Sequence, residues 1–307
     1  MLACTRRVPG PVATLLASME QEDERAAGAW QAEWGTMTDL LRLGRLGRPG
    51  PRKPPQMILH HEIEGQDDAP PLLLGGSLGA SVRMWDWQAP LADSLRLVRF
   101  DHRGHGASAV PSGQYEIADL GRDVLELMDH LALGQASYCG LSLGGMVGMW
   151  IAAHAPERVD RLVLLCTSPH MPPASMWRER AAAVLKAGSV EPLADSIVER
   201  WLTPEFARRH PDVRARLRAM LVSSPPEGYA ACCGAIERMD LRDDLAAITA
   251  PTLVVSGAED PSTPPDRQAL IAQAVPGARH EILDPAAHFA SVEQADAVNQ
   301  LILEHLS

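Results

Sequence analysis

The chain has 307 residues, of which 46% are hydrophobic and 22% charged, enough to bury one large core or two modest ones. Its formal net charge of −11 argues against nucleic acid or an anionic membrane surface as a partner. No apolar run approaches the roughly 20 residues of a membrane-spanning helix, and the five cysteines lack metal-ligand spacing. We therefore expect a reduced, cytoplasmic protein without a bound metal; the sequence leaves its oligomeric state open.

Residues 1–56 differ in composition from the remainder of the chain. The stretch 11–43 is rich in Ala, Glu, Gln and Leu and predicts a helix, and the Gly, Pro and Arg run 44–55 predicts a linker. Residues 1–56 carry eight Lys or Arg and six Asp or Glu, so the acidity of the protein lies in the residues that follow. The sequence thus predicts a helical N-terminal extension that is separate from the folded segment after it.

From Met57 onward, strand patterns and helix patterns alternate. The predicted strands are 58–63, 71–74, 95–100, 136–139, 161–166, 252–256 and 280–283. The predicted helices between and after them are 118–131, 143–154, 265–274 and 291–306. This alternation predicts an α/β fold with a mainly parallel central sheet and helices on both faces.

A helical segment divided by prolines interrupts this alternation after the fifth predicted strand. Its predicted helices are 177–187, 192–201, 213–222 and 229–238. We therefore predict a core made of residues 57–170 and 241–307, and a helical cap, residues 171–240, inserted before the penultimate strands. Residues 171–240 are called the cap segment below.

The most informative motif is GLSLGG at 140–145, between the predicted strand 136–139 and the predicted helix 143–154. A strand, a tight glycine-flanked turn and a helix form the context of a nucleophile elbow, which exposes a serine hydroxyl at the carboxyl edge of a sheet. Ser142 is therefore the candidate nucleophile. Serine is a weak nucleophile at neutral pH, so it needs a base that takes its proton.

Candidate partners for Ser142 follow in the chain order that this kind of fold uses. His288, in a loop after the last predicted strand, is the candidate base. Asp260, just past the strand 252–256, is the candidate acid that fixes the tautomer of the imidazole. Glu259 and Asp284 remain alternatives for the acid.

An ester hydrolase of this kind also needs two backbone donors for the developing oxyanion. The N–H of Leu143, directly after the nucleophile, is one candidate. The glycine-rich stretch 75–79 after the second predicted strand offers the other, at Ser77, with Leu78 as the alternative. The motif at 101–108, DHRGHGAS, is interpreted as a structural turn rather than a metal site.

The chain from about residue 57 onward resembles the α/β-hydrolases, and within them the 3-oxoadipate enol-lactonases of aromatic catabolism. The sequences that carry this resemblance are GSLG at 76–79 with MWD at 84–86, DHRGHG at 101–106, GLSLGGM at 140–146, ERVDRLVL at 157–164, PEGY at 226–229 and MDLR at 239–242. The elbow is typical of the whole superfamily, and related perhydrolases and esterases share much of the remainder.

The resemblance implies a cofactor-free serine hydrolase that opens a five-membered enol-lactone carrying an acetate carboxylate, and releases 3-oxoadipate. An acidic protein needs a local cation to bind such an anion, so Trp177, Arg178 and Arg180, at the start of the cap segment, are candidate substrate-binding residues. Packing for the tryptophan and a solvated helix face for the arginines are the alternatives. Another serine hydrolase (a carboxylesterase, a C–C hydrolase or a perhydrolase) or a non-catalytic ligand-binding protein remains an alternative function.

The N-terminal extension resembles a different family. LLASMEQE at 15–22 and ERAAGAWQAEW at 24–34 are similar to a helix of the 3-carboxymuconate cycloisomerases. The signature loop of those lyases is absent, so no lyase activity is expected. We interpret residues 1–56 as a remnant or a fusion junction; the alternative is that translation starts at Met57.

Overall fold

The computed structural model describes residues 57–307. The helix predicted at 11–43, the linker at 44–55 and the cycloisomerase-like sequences lie outside the described residues. No helix within residues 57–307 is long and apolar enough to cross a membrane. The same residues contain no group of three or more His, Cys, Asp or Glu side chains that could hold a metal ion.

One seven-stranded sheet forms the centre of the described segment. Its strands are β1 (His61–Glu64), β2 (Pro71–Gly75), β3 (Arg96–Phe100), β4 (Ala136–Leu141), β5 (Val159–Leu165), β6 (Thr252–Gly257) and β7 (Arg279–Leu283). Their order across the sheet is β1-β3-β2-β4-β5-β6-β7. Strand β1 pairs with β3 in antiparallel fashion, and every other pair is parallel. The predicted α/β fold with a mainly parallel sheet is confirmed.

The central strands are apolar because both faces of the sheet are covered. Every residue of β4 and of β6 is buried. Successive side chains of a strand point to opposite faces, so a fully buried strand must have packing partners on each side. Strands β2, β4, β5, β6 and β7 run parallel to one another, so their carboxyl ends lie along one edge of the sheet, where the loops that follow them come together.

The helices lie between and after these strands. They are α1 (Ile117–His130), α2 (Leu143–His154), α3 (Ala174–Ala187), α4 (Ala194–Trp201), α5 (Pro204–Arg209), α6 (Pro211–Val222), α7 (Pro226–Arg238), α8 (Pro265–Ala274), α9 (Ala290–Glu293) and α10 (Ala295–Leu306). Helices α3 to α7 belong to the cap segment. The sequence did not predict α5, which is only six residues long and begins at a proline.

The structure splits the helix predicted at 291–306. Helices α9 and α10 are separated by Gln294, whose φ of −124° and ψ of 47° are not helical. The side-chain amide of Gln294 donates to the carbonyl oxygen of Pro285 at 2.9 Å. The apolar period continues across this break, which is why the sequence pattern predicted a single helix.

Candidate active site

Ser142 lies on the sharp turn between β4 and α2. Its φ of +56° and ψ of −111° place it in the left-handed half of backbone space, where a residue with a side chain is strained. The turn is so tight that a Cβ atom added to Gly140 would lie 2.3 Å from the carbonyl carbon of Gly144. A Cβ atom on Gly144 would lie 2.0 Å from the carbonyl oxygen of Gly75. Glycine at position 140 lets the turn close on the start of α2, and glycine at position 144 lets α2 approach the end of strand β2.

The structure brings His288 and Asp260 together although 28 residues separate them. Asp260 follows β6, His288 follows β7, and both side chains are buried. The Nδ1 atom of His288 lies 2.8 Å from the Oδ2 atom of Asp260. A carboxylate can only accept, so Nδ1 carries the proton and donates, which leaves Nε2 as the ring nitrogen able to accept a proton.

Asp260 is held by several donors besides the histidine. Its Oδ1 atom accepts from the backbone N–H of Ser262 at 2.8 Å and of Thr263 at 3.1 Å, and its Oδ2 atom accepts from the Thr263 hydroxyl at 2.7 Å. Burial alone would raise the pKa of Asp260, but the charge of His288 and these hydrogen bonds outweigh it and lower the pKa. The carboxyl therefore stays ionised beside the imidazole.

The two alternative acids are located elsewhere. Glu259 and Asp284 are exposed to solvent, whereas Asp260 is only 2% exposed. Among these three carboxyl groups, the structure gives Asp260 alone a hydrogen bond to His288. The geometry therefore favours Asp260 over both alternatives.

The loop that carries His288 is tied to the cap segment on both sides of the histidine. The Glu293 carboxylate accepts from the backbone N–H of Ala287 at 2.6 Å, and from the N–H and the hydroxyl of Thr203 at 2.8 and 2.7 Å. The N–H of Phe289 donates to the carbonyl oxygen of Trp201 at 2.8 Å, and the two aromatic rings stack at 4.2 Å. Burial raises the pKa of Glu293 despite these donors.

The candidate oxyanion donors differ in whether their backbone N–H already has a hydrogen-bond acceptor. Leu143 is the first residue of α2, so its N–H has no acceptor within the helix. The N–H of Ser77 is directed at the Sδ atom of Met84, 3.2 Å away. Within the described segment the N–H of Leu78 has no acceptor, while the next N–H, that of Gly79, donates to Nε2 of His105 at 2.9 Å. The structure thus favours Leu78, the alternative, over Ser77.

Ser142 and His288 line one cavity, which also includes Ser77, Leu78 and Ser262. Its opposite wall comes from the cap segment and is largely apolar, formed by Met171, Trp177, Ile197, Trp201, Tyr229 and Ile236. Two cations, Arg180 and Arg200, complete this wall. A mostly apolar wall with two cations, facing a serine and a histidine, fits a small organic anion.

The three predicted substrate-binding residues fall in two different places. Trp177 is buried in the cavity wall, where its Nε1 atom donates to the carbonyl oxygen of Met171 at 2.9 Å. Arg180 lines the cavity and stacks over the Trp177 ring at 4.8 Å. Arg178 does not reach the cavity: its side chain is 72% exposed and pairs with Glu237 at 2.6 Å. Residues two positions apart point to different sides of a helix, which is why α3 separates the two arginines.

Sequence reasoning missed Arg200 as a cavity residue. It is near the end of α4, three residues after Ile197 and next to Trp201, and all three line the cavity. The spacing of Ile197 and Trp201 marks an apolar face on α4, and this was the available signal. It did not reveal that this face is directed at the serine.

The DHRGHGAS motif is a buried structural turn, as the sequence analysis interpreted it. Asp101 accepts from the backbone N–H groups of Val82 and Ala107 at 2.7 and 2.9 Å. Burial lowers the pKa of His102 to about 3, helped by the neighbouring His105, so His102 is neutral at physiological pH. His105 holds the Gly79 N–H and in this way braces the loop that contains Leu78.

Comparison with known proteins agrees with this arrangement. Residues 70–295 match the family described as alpha/beta hydrolase fold. The 3-oxoadipate enol-lactonase 2 of Acinetobacter baylyi is 38% identical over 247 residues, covering 80% of this chain and 92% of the relative. RutD of Variovorax paradoxus, a proposed carbamate hydrolase, is 31% identical over 260 residues, covering 82% of this chain and 97% of the relative.

A solved structure shows the same relationship. The enol-lactonase from Burkholderia xenovorans LB400 matches with a TM-score of 0.79 and 39% identity, covering 81% of this chain and 96% of that chain. The predicted resemblance to enol-lactonases is therefore confirmed. Given the family match over most of the chain and the close relatives, this chain belongs to the α/β-hydrolase fold family and is similar to its 3-oxoadipate enol-lactonases.

Proposed function

We propose that this protein hydrolyses 3-oxoadipate enol-lactone to 3-oxoadipate, with Ser142, His288 and Asp260 as its catalytic triad. The observation that carries the proposal is the buried hydrogen bond of 2.8 Å between Asp260 and His288, in a cavity that His288 shares with the elbow serine. The similarity to two enol-lactonases supports the choice of substrate.

The first half of the reaction acylates the serine. Nε2 of His288 takes the proton of the Ser142 hydroxyl as Oγ attacks the ring carbonyl, and the Asp260 carboxylate stabilises the imidazolium that forms. The backbone N–H groups of Leu143 and Leu78 donate to the oxyanion; Ser77 takes this role only if its N–H leaves Met84. The ring C–O bond then breaks, and the leaving enolate takes up the proton that His288 holds, directly or through water, and becomes a ketone; His288 is then neutral again.

The second half releases the product. The acyl group on Ser142 is a six-carbon chain that has a ketone at its fourth carbon, counted from the ester carbonyl, and ends in a carboxylate. His288 removes a proton from water, the hydroxide adds to the acyl carbonyl, and the Ser142 oxygen leaves with the proton from His288. The product is 3-oxoadipate with two carboxylates, and no cofactor takes part in these steps.

The cap segment encloses the substrate in this proposal. Trp177 and the other apolar residues of its wall cover the ring, and the guanidinium of Arg180 binds the acetate carboxylate. Arg178 has no part in binding because it is paired with Glu237 at the surface.

The direct test is turnover of the enol-lactone, followed by the disappearance of the lactone and by chromatographic identification of 3-oxoadipate. The Ser142→Ala variant should be inactive, and a fluorophosphonate probe should label the wild type and not the variant. If the probe labels the wild type but the wild type does not open the lactone, the proposed substrate is wrong and the assignment as a serine hydrolase stands.

A second candidate, carbamate hydrolysis, is favoured by the similarity to RutD over nearly its whole length. The same serine, histidine and oxyanion donors would attack a carbamate carbonyl. The two cations in the cavity wall support the enol-lactone as the first candidate, because they suit a substrate with a carboxylate. Comparing kcat/KM for the enol-lactone and for a small carbamate decides between them.

A further inference from the structure

Three arginines near the catalytic cavity, Arg180, Arg200 and Arg267, have no carboxylate partner among residues 57–307. Most arginines of the cap segment are paired with carboxylates; Arg214, for example, lies 3.1 Å from Asp195, and Arg218 lies 2.6 Å from Glu191. Among residues 57–307, no carboxylate lies within 4.0 Å of the guanidinium of Arg180, Arg200 or Arg267. These cations remain available to a negatively charged ligand.

The three arginines meet at an outer hollow beside the cavity. This outer hollow is lined by Arg180 of α3, Arg200 of α4 and Arg267 of α8, together with Pro261 and Ser262. No acidic side chain is among its lining residues. In a protein with a net charge of −11, a concave surface with three arginines and no carboxylate is a local exception.

The outer hollow adjoins the catalytic cavity. Arg180, Arg200 and Ser262 line both spaces, so these side chains form the partition between them. Arg200 is exposed and Arg180 half-buried, and Arg267 lines only the outer hollow. Arg267 therefore lies on the outer side of this partition, and Ser142 lies on its cavity side.

We propose that Arg267, Arg200 and Arg180 form an anion-binding entrance, at which Arg267 attracts carboxylate-bearing substrates and Arg200 together with Arg180 holds their carboxylate during acyl transfer. The inference rests on the proposed serine hydrolase function and names the substrate class: esters and lactones whose acyl chain ends in a carboxylate. A planar guanidinium can bind a carboxylate through two parallel N–H donors, which fixes the orientation of the chain as well as its charge.

A matched pair of esters tests the entrance without the lactone. The mono-4-nitrophenyl ester of adipate and 4-nitrophenyl hexanoate share a six-carbon acyl chain and differ in the terminal carboxylate. We expect the wild type to prefer the adipate ester in kcat/KM. The ratio of the two kcat/KM values should fall about tenfold in Arg200→Gln, because a charge-assisted hydrogen bond is lost.

Arg267→Gln should act through attraction at a distance. We expect the ratio to fall about threefold at low salt, and the difference from the wild type to vanish near 1 M salt, where the screening length is about 3 Å. Arg214→Gln is the matched control: it removes a half-buried arginine of the cap segment that is paired with Asp195, and should leave the ratio unchanged.

The outcomes separate this inference from the proposed function. Two results would contradict the proposed entrance: an equal fall in kcat/KM for both esters in Arg200→Gln, or a wild type that does not prefer the anionic ester. A third result is that the wild type prefers the adipate ester, and loses this preference in Arg200→Gln, but does not open the enol-lactone. That result would support the anion-binding entrance and reject the lactone as the substrate. Hydrolysis of the neutral ester by each variant serves as the check on folding.

Discussion

The two walls of the catalytic cavity are built differently. On the sheet edge, Asp260 accepts hydrogen bonds from His288, Ser262 and Thr263, all in short turns that follow strands. On the cap side, Arg180 and Arg200 are at best half-buried and no carboxylate of the described segment fixes them. The groups that would do the chemistry are thus held by several hydrogen bonds, whereas Arg180 stacks over the Trp177 ring and leaves its charge without a carboxylate partner among residues 57–307.

The two walls meet at the histidine loop. Glu293 joins Ala287 to Thr203, and Phe289 binds Trp201, so the residues on either side of His288 contact the end of α4. A shift of α4 would therefore move the imidazole. The predictions below probe the sheet edge first, then this junction, then the cap side.

The largest effect is expected at the elbow. Replacing the hydroxyl in Ser142→Ala removes the nucleophile, and kcat for the lactone should fall on the order of 10⁴–10⁶-fold. The melting temperature should stay close to that of the wild type, since the side chain is small and half-exposed. Activity within tenfold of the wild type would show that another residue attacks the substrate.

Asp260→Asn should lower kcat by about 10⁴-fold, because an amide that donates to Nδ1 leaves His288 in the wrong tautomer. Steady-state kinetics measure this loss. Glu259→Gln serves as the control at the adjacent exposed carboxyl and should change kcat by less than about twofold. Equal losses in the two variants would mean that the acid is shared.

The same aspartate predicts a dependence of stability on pH. Its pKa is lowered in the folded protein, so the ionised carboxyl adds free energy of unfolding at pH values above the unfolded pKa of about 3.9. This contribution is lost as the pH falls through the lower, folded value. In denaturant unfolding over that acid range, the wild type should lose stability more steeply than Asp260→Asn.

Glu293→Gln tests the junction between the walls. The amide cannot accept at both ends, so the bond to Ala287 or those to Thr203 must weaken. We expect a loss of about 1–3 kcal/mol in the free energy of unfolding and a fall of about 10–100-fold in kcat, because His288 is misplaced. Thr203→Val removes the hydroxyl, which also accepts from the N–H of Phe206 at the start of α5, but keeps the Thr203 N–H as a donor to Glu293. It should therefore give a smaller fall in kcat. An unchanged kcat in Glu293→Gln would show that the histidine loop does not depend on the cap segment.

The smallest effects should separate two arginines on one helix. Arg180→Gln should lower kcat/KM for the lactone about tenfold, through the loss of a charge-assisted hydrogen bond. Arg178→Gln removes a surface ion pair and should change kcat/KM by less than about twofold. Similar losses in both variants would assign the effect to the charge of α3 as a whole.

Residues close in sequence were the most predictable part of the active site. The elbow at 140–145 combines strand, turn and helix signals within a few residues, and its glycines are required by a turn that no side chain fits. Asp260 and His288 were placed just past strands, and parallel strands end at one edge of a sheet. The helix predicted at 291–306 was wrong at Gln294, because the apolar period continues across the break and carries no signal of it.

The sequence by itself determined the sheet, the order of its elements, and Ser142 and His288 as candidates, because hydrophobic periodicity and turn chemistry are local properties of the chain. Only the tertiary structure decided that Asp260 rather than Glu259 bonds His288, that Arg180 and not Arg178 lines the cavity, and that Arg200 joins it. Each of these choices depends on the direction in which a side chain points after distant segments have packed, and neighbouring residues of the same type look alike until that packing exists.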